Sequence, residues 1–181
     1  MQDTSHKNKI AGVGGKFYLQ FQKQRKEIFI RMNPVVFKIL LNFYPPYWGT
    51  GIRIARISSD FRELVVLMKL RWYNRNYIKT HFGGSLYAMT DPFYMLMLIQ
   101  VLGRDYIVWD KAARIEFVKP GRGTVRAAFR ITDDQVADII VRTAGHEKYL
   151  PAFTVDITDE AGEIVARVIK TLYIRKKKRL A

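Results

Sequence analysis

The sequence contains no cysteine, only three histidines, and 16 acidic side chains against 31 basic ones. The missing cysteine excludes a disulfide scaffold, a thiol nucleophile and any zinc site built on thiolates, and it fits a reducing compartment, so a cytoplasmic protein is expected. His6, His81 and His146 stand far apart in sequence. None has another histidine at the short spacing a metal site on one helix needs, so neither a metal nor another cofactor is expected. Long apolar runs are missing too. Val35 to Tyr44 is broken by Lys38 and Asn42, and Leu86 to Leu102 by Thr90, Asp91 and Pro92, so no transmembrane segment is expected. Residues 1–16 are polar and contain glycine, which does not read as a secretory signal. The shortage of acidic residues leaves a net charge of +15. Basic residues gather in Lys7 to Lys26 and in Arg175-Lys176-Lys177-Lys178-Arg179. Ends of this kind suit phosphates, acidic proteins or an anionic membrane, or act as solvated tails.

What is present is enough apolar material, 49% of 181 residues, for one packed domain. Three parts are expected: a basic arm over 1–32, a domain over 33–175 that includes an N-terminal helical extension, and a basic tail over 176–181. Asn33-Pro34 places a capping side chain before a proline at the first helical position, predicting a helix that Pro45-Pro46 ends. Strand patterns follow over Gly51 to Ile57 and Arg62 to Trp72. In the second, Leu64, Val66, Met68, Leu70 and Trp72 share one face. A polar loop from Asn74 to His81 leads to Gly83-Gly84, after which Ser85 to Leu102 is apolar almost all round and long enough for four or five turns of buried helix. Beyond Gly103 the period becomes two, with Ile107, Trp109, Ala113, Ile115 and Phe117 alternating with Asp110, Arg114 and Glu116. The Pro120-Gly121 turn and the alternating run Val125, Ala127, Phe129, Ile131 predict a hairpin with that strand. Thr132 and Gln135 form a capping-box pattern for a short helix, and strands over Pro151 to Thr158 and Glu163 to Arg175 are joined by an Asp159 to Gly162 turn. The fold class is therefore α+β, an antiparallel sheet wrapped around one long central helix.

The chemistry concentrates at that helix. Its first turn has backbone N–H groups with no intrahelical acceptor, and glycines let a carbonyl oxygen approach them, so Gly83 and Gly84 are candidates for an oxyanion hole. Asp91, in apolar surroundings, is a candidate general base toward water or a nucleophile giving an anhydride. Plainer readings stand beside these. A Gly pair also marks a tight helix start, Asp91-Pro92 is a good cap and first position for a second helical segment, His81 reads as a loop residue, and Asn76 as a turn former.

The segment Asn76-Tyr77-Ile78-Lys79-Thr80-His81-Phe82-Gly83-Gly84-Ser85-Leu86-Tyr87-Ala88-Met89-Thr90-Asp91 resembles the hotdog-fold thioesterases, in particular the phenylacetyl-CoA thioesterase type and an uncharacterised branch known as a domain of unknown function. In the thioesterase type an Asn precedes a Gly pair by seven residues and a catalytic Asp or Glu follows the second Gly by seven, which Asn76, Gly83, Gly84 and Asp91 match. Phe82 holds the place where that type usually has His, with His81 one residue earlier. The Phe-Gly-Gly-Ser-Leu wording is similar to the uncharacterised branch. The resemblance covers roughly residues 50 to 175 and implies a hotdog fold and a thioester lying across a homodimer interface, the dimer in some cases doubling to a tetramer. It implies Asp91, Gly83 and Gly84 as catalytic residues and Asn76, Thr80, His81 and Phe82 as substrate contacts. Three functions are thereby ranked. First comes an acyl-CoA or acyl-carrier thioester hydrolase, then a non-catalytic acyl-ligand binder, since a fold does not fix a chemistry. A nucleic-acid binder through the basic ends is last, because no recognition helix, zinc module or RNA-binding aromatic signature is visible.

Overall fold

The chain divides into two units, residues 1–31 and 32–181. The computed structural model describes residues 32–178, all in the second unit, so the arm expected over 1–32 lies outside the described residues apart from Met32, as does the end of the tail from Arg179. The described part opens with helix α1, Pro34–Asn42. Asn33 Oδ1 accepts from the Val35 N–H at 2.8 Å and Pro34 fills the first helical position, where its missing N–H costs nothing. Phe37 turns inward and meets the Phe61 ring edge-on at 5.3 Å. The other side of α1, with Val35, Val36, Ile39 and Leu40, is exposed. Asn42 ties α1 to the sheet, donating to the Ile54 carbonyl at 3.1 Å and accepting from its N–H at 2.7 Å. A single turn, α2 (Pro45–Trp48), follows.

Among the described residues seven strands form one antiparallel sheet: β1 (Ile52–Ile57), β2 (Glu63–Lys69), β3 (Tyr106–Phe117), β4 (Thr124–Arg130), β5 (Lys148–Tyr149), β6 (Ala152–Thr158) and β7 (Ile164–Lys176). Their order is β1-β2-β4-β6-β7-β3, with the short β5 also pairing β7. Alternation aims one side of each strand at the core: Leu64, Val66 and Met68 of β2 are fully buried, as are Val125 and Ala127 of β4. Against this face lie α3 (Gly83–Ala88) and α4 (Phe93–Leu102). Phe93, Met97 and Leu98 of α4 have no exposed surface. Each such side chain contributes about 1.5–3 kcal/mol of burial free energy. A last helix, α5 (Asp133–Arg142), begins with the capping box expected from Thr132 and Gln135.

The long central helix thus runs in two segments. Pro92 has no N–H to continue the ladder, and Thr90 turns its hydroxyl back onto the Tyr87 carbonyl at 2.8 Å, so the chain breaks at Thr90-Asp91-Pro92. The β6–β7 hairpin forms as expected, with the Asp159 carboxylate accepting from the Ala161 and Glu163 N–H groups and Gly162 at a φ of 82°. The hairpin expected between β3 and β4 does not form. β3 pairs with β7, and β4 lies between β2 and β6. After β3 the Val118 and Lys119 N–H groups both donate to the Val165 carbonyl, and Gly121 accepts from His81, so the Pro-Gly segment carries the chain across the end of the sheet instead of reversing it. The faces of β3 also differ from the expected alternation. A bulge between Asp110 and Ala112 shifts the phase, so Val108 and Asp110 face inward while Trp109 stacks flat on Tyr173 of β7, its register partner, at 3.9 Å.

Candidate active site at the break in the central helix

The loop before α3 is closed by its own side chains. Asn76 accepts from the Thr80 N–H at 3.0 Å and donates to Thr80 Oγ1 at 2.9 Å, while Lys79 adopts a left-handed φ of 63° at the tip. Both expected substrate contacts, Asn76 and Thr80, are thus engaged with each other, and Thr80 is buried. His81 is buried as well. Its Nε2 lies 3.1 Å from the Gly123 carbonyl and its Nδ1 has no hydrogen-bond partner among the described residues. Burial lowers its proton affinity below the ordinary histidine value, with the Gly123 bond opposing only in part, so the ring is neutral. Phe82, by contrast, is 58% exposed and Phe117 of β3 is 57% exposed. Their rings flank the glycine pair. A β-carbon on Gly84 would lie 2.4 Å from the Phe82 ring and one on Gly83 2.9 Å from the Phe117 ring, so neither glycine can carry a side chain unless an aromatic ring moves. The glycine pair that starts α3 therefore packs against two exposed aromatic rings.

At the other end of α3 stands Asp91. It does not cap α4, whose cap position is Pro92 with no side-chain hydrogen bond. Its carboxylate turns instead to β7, where Oδ1 accepts from Lys170 Nζ at 2.5 Å. Lys170 has no exposed surface, and the Asp91 side chain retains 43% exposure. Asp110 Oδ1 is 3.2 Å from the same ammonium, and the Tyr87 ring centroid lies 5.3 Å from it. That 3.2 Å approach is an ion-pair contact without hydrogen-bond geometry, so both Asp110 oxygens are buried with no hydrogen bond among the described residues. Burial lifts the Asp110 carboxyl above the ordinary aspartate range, against the pull of Lys170. For Lys170, burial acts to lower the proton affinity, but the bond to Asp91 and the charges of Asp110 and Asp91 together raise it, so the amine is an ammonium. The Asp91 main chain is held by Tyr47, which donates to its carbonyl at 2.6 Å.

One carboxylate oxygen, Oδ2 of Asp91, thus has no partner among the described residues and can accept a proton from water. The glycine pair and Asp91 sit at opposite ends of α3, whose six residues span about 9 Å. A carbonyl that used both groups would have to lie about 3 Å from each, which a separation of this order along one chain does not allow. Neither Lys170 nor Asp110 figures among the site residues expected from the sequence. The signal for Lys170 is its place in the alternation Ala166, Val168, Lys170, Leu172, Ile174, a lysine in phase with core residues. For Asp110 no such signal exists, because the bulge moves it to the inner face.

Residues 34–174 match the family of domains of unknown function DUF4442, which is most of the chain. The chain belongs to this family. No curated protein matches the chain. Among solved structures, this DUF4442 chain is similar to a Pseudomonas aeruginosa protein of unknown function, a probable thioesterase, at 17% identity over 81% of this chain and 97% of that one, with a TM-score of 0.70. A thioesterase from Haemophilus influenzae shares 13% identity over 80% and 92% of the two chains at a TM-score of 0.59. The PaaI protein of the E. coli phenylacetic acid degradation operon shares 16% over 77% and 89% at 0.53. At these identities the likeness shows the fold. The DUF4442 chain has the hotdog fold, a sheet wrapped around a central helix. No helix among the described residues is long and apolar enough to cross a membrane.

Proposed function

We propose that this chain is a hydrolase of acyl thioesters, carried on coenzyme A or on an acyl carrier protein, with Asp91 as the hydrolytic carboxylate. The observation that carries the reading is the half-exposed Asp91 side chain at the helix break, with one oxygen held by Lys170 and the other open. In the reaction Oδ2 takes a proton from water as the water oxygen bonds to the thioester carbonyl carbon. The oxyanion that forms accepts from the Gly84 and Gly83 N–H groups, and its collapse breaks the carbon–sulfur bond. The departing thiolate takes the proton back from Asp91, leaving a carboxylic acid and a free thiol. Attack by Oδ2 itself, giving an anhydride, is the second route, and single turnover in 18O water distinguishes the two because only the anhydride route labels Asp91. The exposed Phe82 and Phe117 rings provide apolar surface for the acyl or thioester portion.

The separation of Asp91 from the glycine pair along α3 favours a site shared by two copies, each providing one of the two groups. Light scattering at micromolar concentration is expected to give twice the 21.2 kDa chain mass. An active monomer would contradict this.

The second reading is a non-catalytic acyl binder, favoured by the Lys170 ion pair, because a carboxylate tied to a buried ammonium also suits a purely structural role. One panel separates the two: wild type and Asp91→Asn against CoA thioesters of short, long, aromatic and hydroxylated acyl groups. Hydrolysis is expected to fall by about 10²–10⁴-fold in Asp91→Asn, well beyond what the accompanying loss of stability from the weakened Lys170 pair explains. Equal rates in both proteins would remove Asp91 from the reaction, and saturable binding without turnover would make the chain a binder.

A further inference from the structure

Lys170 occupies a position that ordinary core packing does not explain. Its neighbours in phase along β7, Val168 and Leu172, are fully buried apolar residues, and Lys170 is itself without exposed surface. Among the described residues it is the one Lys, Arg, Asp or Glu that is fully buried. A buried ion cluster is seldom more stable than an apolar side chain of the same volume, so stability alone does not account for an ammonium here. Its contacts point to a task. Asp91 at the helix break, Asp110 from β3 and the face of Tyr87 from α3 surround Nζ, at 2.5, 3.2 and 5.3 Å. The groups that face Asp91 are therefore Lys170 from β7, Asp110 from β3, Tyr87 from α3 and, at its main-chain carbonyl, Tyr47 from α2.

We propose that Lys170 and Asp110 are positioning residues for Asp91: the buried ammonium, braced by Asp110 and Tyr87, fixes one oxygen of the Asp91 carboxylate and leaves Oδ2 as the oxygen that meets water. The inference rests on the reading of Asp91 as the hydrolytic carboxylate. Two carboxylates and one ammonium leave the cluster one negative charge in excess. Burial raises the proton affinity of Asp110 against the pull of Lys170, so of the two carboxyls Asp110 is the one whose charge the surroundings disfavour. Without Lys170 the two carboxylates would face each other across an apolar gap, and one would hold a proton to higher pH, as like charges at short range require.

The test uses the full chain, with Lys170→Met and the double variant Lys170→Met/Asp110→Asn. Two quantities are followed against pH: kcat/KM for a hydrolysed CoA thioester, and the 13C resonance of the Asp91 carboxyl carbon, which needs no substrate. In Lys170→Met the acid limb of both curves is expected to move up by about one pH unit or more, and the double variant to return both toward wild type. Should Lys170→Met fail to fold, Lys170→Gln, which keeps a hydrogen-bond donor without the charge, is expected to move the limb in the same direction. A folded variant whose Asp91 resonance titrates as in wild type overturns the proposal, since a purely structural lysine would change the melting temperature and leave the titration in place. The two readings fail separately. A wild type that hydrolyses nothing, with a resonance that moves in the variant, sinks the hydrolase reading and supports the positioning of the charge; hydrolysis with an unmoved resonance sinks the positioning alone.

Discussion

The Tyr47 hydroxyl donates to the main-chain carbonyl of Asp91 at 2.6 Å, joining α2 to the break between α3 and α4. Burial, and after it the charge of Asp91, raises the Tyr47 phenol well above the ordinary 10.0. Tyr94, which donates to the Thr154 carbonyl at 3.0 Å, is pushed up to about 12, chiefly by burial. Both groups bind their protons more tightly in the folded chain than in the unfolded one. Their stabilisation is complete below pH 10 and is lost as pH rises beyond it, the Tyr94 share being gone once pH passes about 12. Urea unfolding stepped from pH 8 to 11, a range set by the ordinary tyrosine value, is expected to show stability falling over the last unit. Tyr47→Phe is expected to fall less steeply and to be about 1–3 kcal/mol less stable at neutral pH, because the Asp91 carbonyl loses its donor. Identical slopes in the two proteins would mean that Tyr47 is solvated.

At the opposite end of α3, Gly84 is expected to tolerate alanine only if the Phe82 ring gives way. Gly84→Ala should lose about 1–3 kcal/mol in thermal or urea unfolding, in the range of overpacked sites. Adding Phe82→Ala removes the ring atoms 2.4 Å from the new β-carbon and should restore most of that loss. Activity is the second readout. If the α3 N–H groups hold the oxyanion, the methyl group obstructs them whatever the Phe82 ring does, so kcat stays depressed in the double variant while stability recovers. Full recovery of both would make the glycine pair a packing requirement and nothing more.

Much of this was legible in the sequence, for identifiable reasons. Asn33-Pro34, Thr132-Gln135 and Asp159 to Gly162 are local signals, each satisfied by hydrogen bonds within a few residues, and each forms where expected. The split of the central helix follows from Pro92 in the same local way. The pairing of β3 was not legible, because an alternating strand next to a Pro-Gly turn looks the same whether it pairs with its neighbour in sequence or with β7 some fifty residues on. The face of Asp110 was hidden by a bulge that no residue in β3 announces. Asp91 was singled out by spacing, whereas the residue that holds it, Lys170, is 79 positions away and becomes visible only when β7 is laid beneath α3.

The basic end of the chain begins inside the sheet. Arg175 and Lys176 are the last residues of β7, and the Lys177 N–H donates to the Asp105 carbonyl at 2.7 Å. Asp105, His146 and Lys176 to Lys178 line an open cleft there. If the substrate carrier is anionic, Lys176→Gln with Lys178→Gln is expected to raise KM and flatten its dependence on salt, which screens such attraction over about 8 Å near physiological ionic strength. Turnover should stay within about twofold of wild type, as uniform binding requires. An unchanged KM and salt response would leave these lysines a solubilising role.

The Asp91–Lys170–Asp110 cluster also acts as a proofreader of strand registration. Lys170 is set opposite Ala113 on one side and Phe153 on the other. A slip of β7 by one residue would turn every inward side chain outward, placing Ile169 or Thr171 against the two carboxylates and the ammonium on the far face of the sheet. Apolar residues on β7 could partly accommodate that slip, since Ile164, Ile169 and Tyr173 lie on its outer face. The charges could not, because the buried Asp110 carboxylate would lose its cation with no water to replace it. One misplaced ammonium thus raises the energy of the misregistered sheet, so the same three side chains that shape the candidate site select the pairing that builds it.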